Sequence, residues 1–355
     1  MTFTLYVDEQ RWRAHLRRTV DATPGLVPVI KGNGYGLGNA RLAAEATSLG
    51  VDTVAVGIAG EVDVVRAAFA ADVLVLTPSY PSVAVGDSDG TDLPVVQTLS
   101  HPATVAAATS SGARGGRFVV ELRTAMQRHG LTHDELTAAA DGLGQVEARL
   151  VGIAFHLPID RPAGYDPAAE VADGLRRAQR LGVPIGTAWV SHLRTAELAR
   201  LGTELPTTTF RPRVGTDLWL GDHGALQARG TVLDVHRLAR GTRYGYRQQR
   251  TLRDSHLVVV SGGTAHGVAL AAPRVARGVV GRGKELAFGT LSAANVAMSP
   301  FTWAGRKRWF AEPPHMQVSM LLLPVDVDPP TIGAELVCEV RHTTLHPDRI
   351  VPLAT

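Results

Sequence analysis

The sequence predicts an α/β fold in which a (β/α)₈ TIM-like barrel is followed by a smaller all-β C-terminal domain. The first observation is that short β-branched runs alternate with alanine- and arginine-rich segments of helical spacing as far as about Gly221. The second is that only β-rich runs separated by turns follow that point. Strands that alternate with helices indicate a parallel sheet, and eight of them in one run favour a closed barrel over an open doubly wound sheet. The predicted domains are residues 1–221 and 222–355.

Each predicted element depends on its apolar spacing and on the glycine, proline or polar residue that ends it. The predicted barrel strands are Val27–Gly32, Thr53–Ala59, Val73–Pro78, Leu93–Thr98, Arg117–Leu122, Leu150–Leu157, Ile185–His192 and Thr208–Asp217. The predicted helices between them include Ala40–Leu49, Glu61–Ala70, Asp166–Leu181 and Leu193–Leu201. The predicted strands of the C-terminal domain are Thr231–Leu238, His256–Ser261, Gly267–Ala272, Glu285–Thr290, Met316–Leu323 and Glu335–Arg341.

Composition and charge narrow the class of protein. The 355 residues are 45% hydrophobic and 19% charged with a net charge of +3, which is typical of a soluble globular protein without a nucleic-acid-binding face. Cys338 is the only cysteine, so intramolecular disulfides and cysteine-based metal clusters are excluded, and no metal site is predicted. The N-terminus lacks the features of a signal peptide, and no apolar stretch reaches membrane-spanning length. We therefore expect a cytoplasmic protein that binds neither nucleic acid nor membrane.

The most informative residue is Lys31, which ends a β-branched run and precedes a glycine-rich turn that contains Tyr35. Only three of the 36 lysine and arginine residues are lysines, so a lysine at this strand end is unusual for the chain. Arginine stays protonated in proteins, whereas lysine can lose its proton when buried and can form a Schiff base. An ordinary surface lysine at a strand end is the alternative, and the flanking glycines favour the reactive interpretation.

Other reactive side chains lie where barrel active sites are built, at the carboxyl ends of strands. In strand order they are Lys31, then Glu121 and Arg128, His156, Ser191, and Arg213 with Gly215 and Thr216. A single histidine at such a position is more often a hydrogen-bonded core residue. Several reactive residues at equivalent positions indicate a site.

These segments together resemble the alanine racemase family of fold-type III pyridoxal-phosphate enzymes. The stretch from Val29 to Gly38 is similar to the family's V-x-K-A-N-A-Y-G-H-G, and the stretch from Glu121 to Gly130 to its D-T-G-M-x-R-x-G. Ala154-Phe155-His156 resembles T-H-F, Val190-Ser191 resembles N-S, and Arg213–Trp219 resembles R-P-G-I-A-L-Y. The chain is identified on these motifs as a divergent member whose cofactor would be pyridoxal 5'-phosphate.

The resemblance implies a role for each of these residues. Lys31 would carry the cofactor and act as a base at the substrate Cα, with Arg128 beside it, and Glu121 stands where some members carry a carbamylated lysine. His156 would pack on the pyridine ring, and Arg213 would face the pyridine nitrogen. The residues implied for the phosphate are Tyr35, Ser191, Gly215 and Thr216. The family also implies an amino-acid substrate and a head-to-tail homodimer with shared active sites.

The pattern departs from the family in the C-terminal domain. The tyrosine of the family's G-Y-A-D-G, its second base, is Thr264 here, and the aspartate is His266. The aspartate of V-S-M-D is Leu321. A threonine hydroxyl is too weak an acid to replace a phenol. Histidine, with a reference pKa of about 6.5 as a residue type, is suited to act as a base, so His266 is the candidate substitute. A turn histidine exposed to solvent is the alternative for His266.

The sequence therefore predicts an amino-acid racemase or epimerase with an altered second base and weak or absent alanine racemase activity. Two alternatives stay open. One is a one-base pyridoxal-phosphate enzyme on the same scaffold, such as a decarboxylase, aldolase or other lyase. The other is a non-catalytic homologue that binds the cofactor.

Overall fold

The computed structural model of the chain describes residues 2–79, 95–110, 116–146, 149–270 and 297–353. The chain divides into two compact units. The barrel unit contains His15–Gly34 and Gly38–Gly221, and the β unit contains Met1–Ala14, Tyr35–Leu37 and Asp222–Thr355. These units differ from the predicted domains 1–221 and 222–355 at two segments, of which the N-terminal one contains a strand of the β unit.

Eight parallel strands close the barrel, which confirms the predicted TIM-like fold. They are β2 Val27–Ile30, β3 Thr53–Val56, β4 Asp72–Val75, β5 Val95–Leu99, β6 Arg117–Leu122, β7 Leu150–Phe155, β8 Thr187–Val190 and β9 Thr209–Val214. Most are shorter at their carboxyl ends than predicted, because the residues there leave the hydrogen-bonded ladder to form loops. Residues 93 and 94 of the fourth predicted strand lie outside the described residues.

Several of the helices between the strands begin at polar caps or prolines. Thr132 and Glu135 form a reciprocal capping box, in which the Thr132 N–H donates to Glu135 Oε2 at 2.7 Å. Asp166 accepts hydrogen bonds from the N–H groups of Ala168 and Ala169. The helices are α1 Glu9–Asp21, α2 Asn39–Ser48, α3 Val62–Arg66, α4 Pro102–Thr109, α5 His133–Gln145, α6 Pro167–Arg180, α7 Thr195–Glu204 and α8 Thr216–Trp219. The four predicted helices correspond to α2, α3, α6 and α7.

The barrel interior explains which side chains reach its carboxyl end. Its apolar core contains Val29 on β2, Val119 on β6, Ala154 on β7 and Trp189 on β8. Alternate residues of a strand share one face, so the residue two positions further along points the same way, one layer closer to the carboxyl end. Those next residues are Lys31, Glu121, His156 and Ser191. On β9, Arg213 pairs in register with Val27, another core residue of the barrel interior.

The β unit is built on one eight-stranded sheet with the order β13-β16-β15-β14-β17-β10-β1-β18. Its strands are β1 Phe3–Val7, β10 Leu226–Leu238, β13 Ser255–Ser261, β14 Met298–Trp303, β15 Arg306–Phe310, β16 Val318–Pro324, β17 Glu335–Cys338 and β18 Arg349–Pro352. A small hairpin is formed by β11 Arg243–Tyr244 and β12 Gln249–Arg250. The N-terminal strand belongs here because it pairs antiparallel with β10 and parallel with β18.

The β unit differs from the sequence prediction in several of its described strands. The strand expected at Gly267–Ala272 is absent over residues 267–270, where a turn follows the 3₁₀ helix Thr264–His266. The strand expected at Glu285–Thr290 lies outside the described residues. Strands β14 and β15 were not predicted; Ala304 and Gly305, with φ of 50° and 71°, connect them in a two-residue hairpin turn. Across the described segments, no helix combines the length and apolar character needed to cross a bilayer.

Candidate active site

Lys31 follows the last residue of β2 and begins a loop whose backbone conformation requires glycine. The Lys31 carbonyl accepts a hydrogen bond from the Gly34 N–H at 3.1 Å, and Gly32 and Gly34 both have a φ of 61°. A side chain at Gly34 would bring its Cβ to 2.6 Å from the Asn39 backbone nitrogen, so only glycine fits there. The glycines of the motif therefore let the chain leave the strand and turn immediately into α2.

The Lys31 amine lies among positive charges. Loss of surrounding water lowers its pKa first, and the charges of Arg128 and Arg213 lower it further, while Glu61 acts in the opposite direction. The side chain nevertheless remains accessible to solvent. A lysine in these surroundings gives up its proton more readily than an ordinary surface lysine, which is what a nucleophilic amine requires.

Glu121 and Arg213 are buried charged residues of the barrel interior, 3% and 7% exposed. Burial raises the pKa of Glu121, and Arg213 and Arg128 oppose this effect. Burial also lowers the pKa of Arg213 to about 10, so the guanidinium stays protonated at neutral pH. Arg213 Nη2 donates to the Phe155 carbonyl at 2.8 Å, whereas its Nε and Glu121 Oε2 have no hydrogen-bond partner among the described residues. These two buried atoms remain available for a bound group or for water.

His156 and Ser191 contact each other at the carboxyl ends of β7 and β8. The Ser191 hydroxyl lies 3.0 Å from His156 Nδ1, and the Leu157 N–H donates to the same hydroxyl at 3.3 Å. Burial, followed by the charges of Arg213 and Arg128, lowers the pKa of His156 to about 3. The imidazole is therefore neutral at physiological pH, and it can pack against an aromatic ring without carrying a charge.

The other predicted cofactor residues are found in loops. Arg128 is exposed in the loop that follows β6, and Gly215 and Thr216 begin α8 directly after β9. Tyr35 is 5% exposed, has a φ of 56°, and belongs to the β unit. The barrel unit thus brings together Lys31, Arg128, His156, Ser191 and Arg213, which interact electrostatically or by hydrogen bonds.

Two residues of this site were not predicted from the sequence. His192 has a φ of 58°, and its ring centroid lies 5.4 Å from that of His156 in an edge-to-face arrangement. The position of His192 directly after Ser191 is the sequence signal that could have indicated it as a site residue. Glu61 accepts the Gly32 N–H at 2.6 Å, directly after Lys31. Because this contact joins two strand ends through a backbone group, no side-chain pattern in the sequence indicated it.

His266 is not the exposed turn histidine considered as an alternative from the sequence. It is 4% exposed and packs against the Phe3 ring with centroids 5.3 Å apart. Its Nδ1 accepts the Gly263 N–H at 3.1 Å, and its Nε2 lies 3.2 Å from Asp348 Oδ1. Since both ring nitrogens are engaged within the β unit, His266 would have to break one of these hydrogen bonds to act as a base.

The other altered positions of the β unit are Thr264, in the same turn as His266, and Leu321, on β16. Thr264 is half-buried, and its N–H donates to the His315 carbonyl at 2.9 Å. Leu321 on β16 is fully buried between Val258 and Phe310, its partners on the neighbouring strands. A fully buried leucine cannot contact a substrate carboxylate.

Comparison with known proteins places this geometry in a family. The family model for the N-terminal domain of alanine racemase matches residues 7–202. The chain belongs to the alanine racemase family. It is 29% identical over 272 residues to the alanine racemase of Beutenbergia cavernae, which covers 71% of each chain.

Solved structures share the fold at lower identity. The Bartonella henselae alanine racemase with covalently bound pyridoxal phosphate has a TM-score of 0.70 and 18% identity, covering 99% of both chains. The histidine racemase of Leuconostoc mesenteroides has a TM-score of 0.64 and 14% identity, covering 99% of this chain and 98% of the other. Enzymes of the family bind pyridoxal phosphate, so the cofactor expected from the sequence is confirmed at the level of the family.

Proposed function

We propose that this protein is a pyridoxal-phosphate-dependent amino-acid racemase or epimerase with weak or no alanine racemase activity. The observation that carries the proposal is the accessible amine of Lys31, whose pKa is lowered by loss of surrounding water and by two arginines. A phosphate dianion and an amino-acid carboxylate both suit a site where Lys31, Arg128 and Arg213 supply positive charge.

The residues present fit the cofactor. The unpartnered Nε of Arg213 and the hydroxyl of Ser191 are donors within the barrel unit, and His156 offers a neutral aromatic face. In this proposal Lys31 anchors the cofactor, and Tyr35, Ser191, Gly215 and Thr216 hold its phosphate. Arg213 faces the ring nitrogen and, because its guanidinium stays protonated with a pKa of about 10, it does not transfer a proton to that nitrogen.

The proposed role of each residue follows from the chemistry of its side chain. When bound, pyridoxal phosphate supplies the electron sink that makes the Cα–H of an amino acid acidic. Lys31 then removes or returns the Cα proton on one side of the substrate, and Arg128 holds negative charge beside it. Loss of the phenol at position 264 leaves the opposite side without the family's base, which is why we propose weak alanine racemisation.

The proposal is tested by isolating the protein with pyridoxal phosphate. We expect a yellow protein in which borohydride reduction fixes the cofactor on Lys31, identified by peptide mass spectrometry. The matched control is Lys307, which pairs with Glu339 on the β unit. A colourless protein that takes up no added cofactor, or a label on Lys284 or Lys307, would contradict the proposal.

A one-base enzyme is the second candidate, because His266 has both ring nitrogens engaged and Leu321 is fully buried. Deuterium uptake from solvent at the Cα of candidate amino acids separates the two. Exchange with inversion supports a racemase, whereas exchange with retention supports a one-base enzyme. No exchange supports a lyase or a binding protein.

We further propose a homodimer with shared active sites, as the family resemblance implies. Sedimentation equilibrium of the purified chain should give twice the monomer mass. A monomer at micromolar concentration that is fully loaded with cofactor and active would contradict this part.

A further inference from the structure

The Glu61 carboxylate connects the ends of two barrel strands. Its Oε1 accepts the N–H of Gly32, just after β2, at 2.6 Å. Its Oε2 accepts the N–H groups of Gly57 and Ile58, just after β3, at 2.7 and 3.2 Å. Hydrogen bonds of this kind from backbone N–H groups to an ionised carboxylate are among the stronger ones in proteins. One side chain thus fixes the spacing between these two strand ends.

The peptide that links Lys31 to Gly32 is held by this carboxylate on its N–H side. On the other side of Gly32, the carbonyl accepts the Asn39 side-chain amide at 3.1 Å. A Cβ built on Gly57 would lie 3.0 Å from both Lys31 Cβ and Glu61 Oε2. The lysine stem and the carboxylate therefore approach the same point, and the glycine leaves room for both.

The charge of Glu61 also acts on Lys31. Among the described residues that shift the pKa of the Lys31 amine, Arg128 and Arg213 lower it and Glu61 raises it. The amine in turn lowers the pKa of the two histidines that face it, His156 and His192. Glu61 therefore limits how far the amine is deprotonated by its surroundings.

We propose that Glu61 is a positioning residue for Lys31: its carboxylate fixes the peptide that carries the lysine and keeps a negative charge beside the amine. The relevance to catalysis rests on the proposed function, whereas the action on Lys31 does not. Glu61 touches backbone groups in this arrangement, so its effect on any reaction passes through the lysine.

Because the chain has three lysines, the Lys31 amine can be observed directly. The full-length protein is freed of cofactor and labelled with ¹³C-lysine, and the NMR signals of the lysine Cε atoms are followed as the pH is changed. The signal that disappears in the Lys31→Arg variant is assigned to Lys31. We expect Glu61→Gln to move the titration midpoint of the Lys31 amine to lower pH, because removing a nearby anion destabilises the charged form of the amine. Glu61→Asp keeps the charge and should leave the midpoint near that of the natural protein.

The second claim, that Glu61 fixes the peptide carrying Lys31, is tested by the rate at which pyridoxal phosphate and borohydride label Lys31. Both Glu61 variants should label Lys31 at least roughly 10-fold more slowly, because even a small misplacement of a reactive group lowers its rate steeply. Glu135→Gln is the matched control, because Glu135 also accepts a backbone N–H but lies at the start of α5. Circular dichroism confirms that each variant is folded. If Glu61→Gln does not fold, the neutral variant Glu61→Ala replaces it in the titration, and Glu61→Asp still tests the labelling rate.

Failure of the inference about Glu61 can be distinguished from failure of the proposed function. An unchanged Lys31 midpoint and labelling rate in Glu61→Gln would overturn the inference, as would an equal change in Glu135→Gln. If Lys31 takes up no cofactor at all, the proposed function fails while the lysine titration still decides the role of Glu61.

Discussion

The barrel mouth and the turn of the β unit around Thr264 have diverged in different ways. At the mouth, reactive side chains stand on strand ends where register fixes their direction, and Lys31, His156 and Ser191 retain matching surroundings. In the β unit, the corresponding motif positions have become part of the core, as the burial of His266 and Leu321 shows. The barrel mouth therefore has its reactive side chains at strand ends, whereas two of the altered motif positions in the β unit serve its packing.

The sharpest test of this comparison is to remove one residue from each region. Lys31→Ala should lower any amino-acid exchange at least about 10⁴-fold, because one side chain supplies both attachment and proton transfer. Thr264→Ala should have little effect, because its hydroxyl cannot replace a phenolic base. Both are measured as deuterium exchange at the substrate Cα, with Lys307→Ala as control. A loss of several orders of magnitude in Thr264→Ala would show that the turn still takes part in catalysis.

The next prediction concerns the rate at which the protein racemises alanine. We expect it to be roughly 10²–10⁴-fold below that of the Beutenbergia cavernae enzyme assayed alongside, the usual cost of losing a positioned acid–base group. Thr264→Tyr should raise the rate if the local geometry is intact, whereas Thr264→Phe, with the ring but no hydroxyl, should not. A normal rate in the natural protein would mean that another group serves the second side, with His266 the first to be tested by His266→Asn.

Restoring the family's aspartate should cost stability rather than restore function. Leu321→Asp places a carboxylate in a fully buried site and should lower the free energy of unfolding by about 3–5 kcal/mol. Leu322→Asp is the control, because Leu322 lies on the opposite face of β16, is only half-buried, and should cost less. Chemical denaturation measures both, and a Leu321→Asp protein of natural stability would show that this position is not core.

The effect that is smallest per pH unit concerns the neutral His156. Its pKa in the folded protein, about 3, lies below the unfolded value near 6.5. Its contribution to stability is therefore present above pH 6.5 and is lost as the pH falls towards 3, at no more than about 1.4 kcal/mol per pH unit. His156→Gln should show a shallower loss of stability over this range. Equal slopes for the two proteins in acid denaturation would contradict the lowered pKa.

Much of the barrel could be predicted because its signals are local. Each strand is an apolar run with a clear end, and side-chain alternation then brings Lys31, Glu121 and His156 to the same edge. The contacts that escaped prediction are non-local: Glu61 binds backbone groups of another strand end, and His266 is buried by Phe3 and Asp348, both far away in sequence. Strands β1 and β18 were missed for the same reason, since each is recognised by its pairing and not by its own pattern.

The pairing of the first strand has a consequence for synthesis of the chain. Val7 is synthesised long before its register partner Pro352, because the segments of the barrel lie between them in the sequence. The side of β1 that pairs with β10 can be filled once β10 has been made, whereas the side that pairs with β18 stays unpaired until Pro352 is added. That open edge can pair with a wrong partner meanwhile, so a chaperone that shields the nascent strand should raise the yield of folded protein.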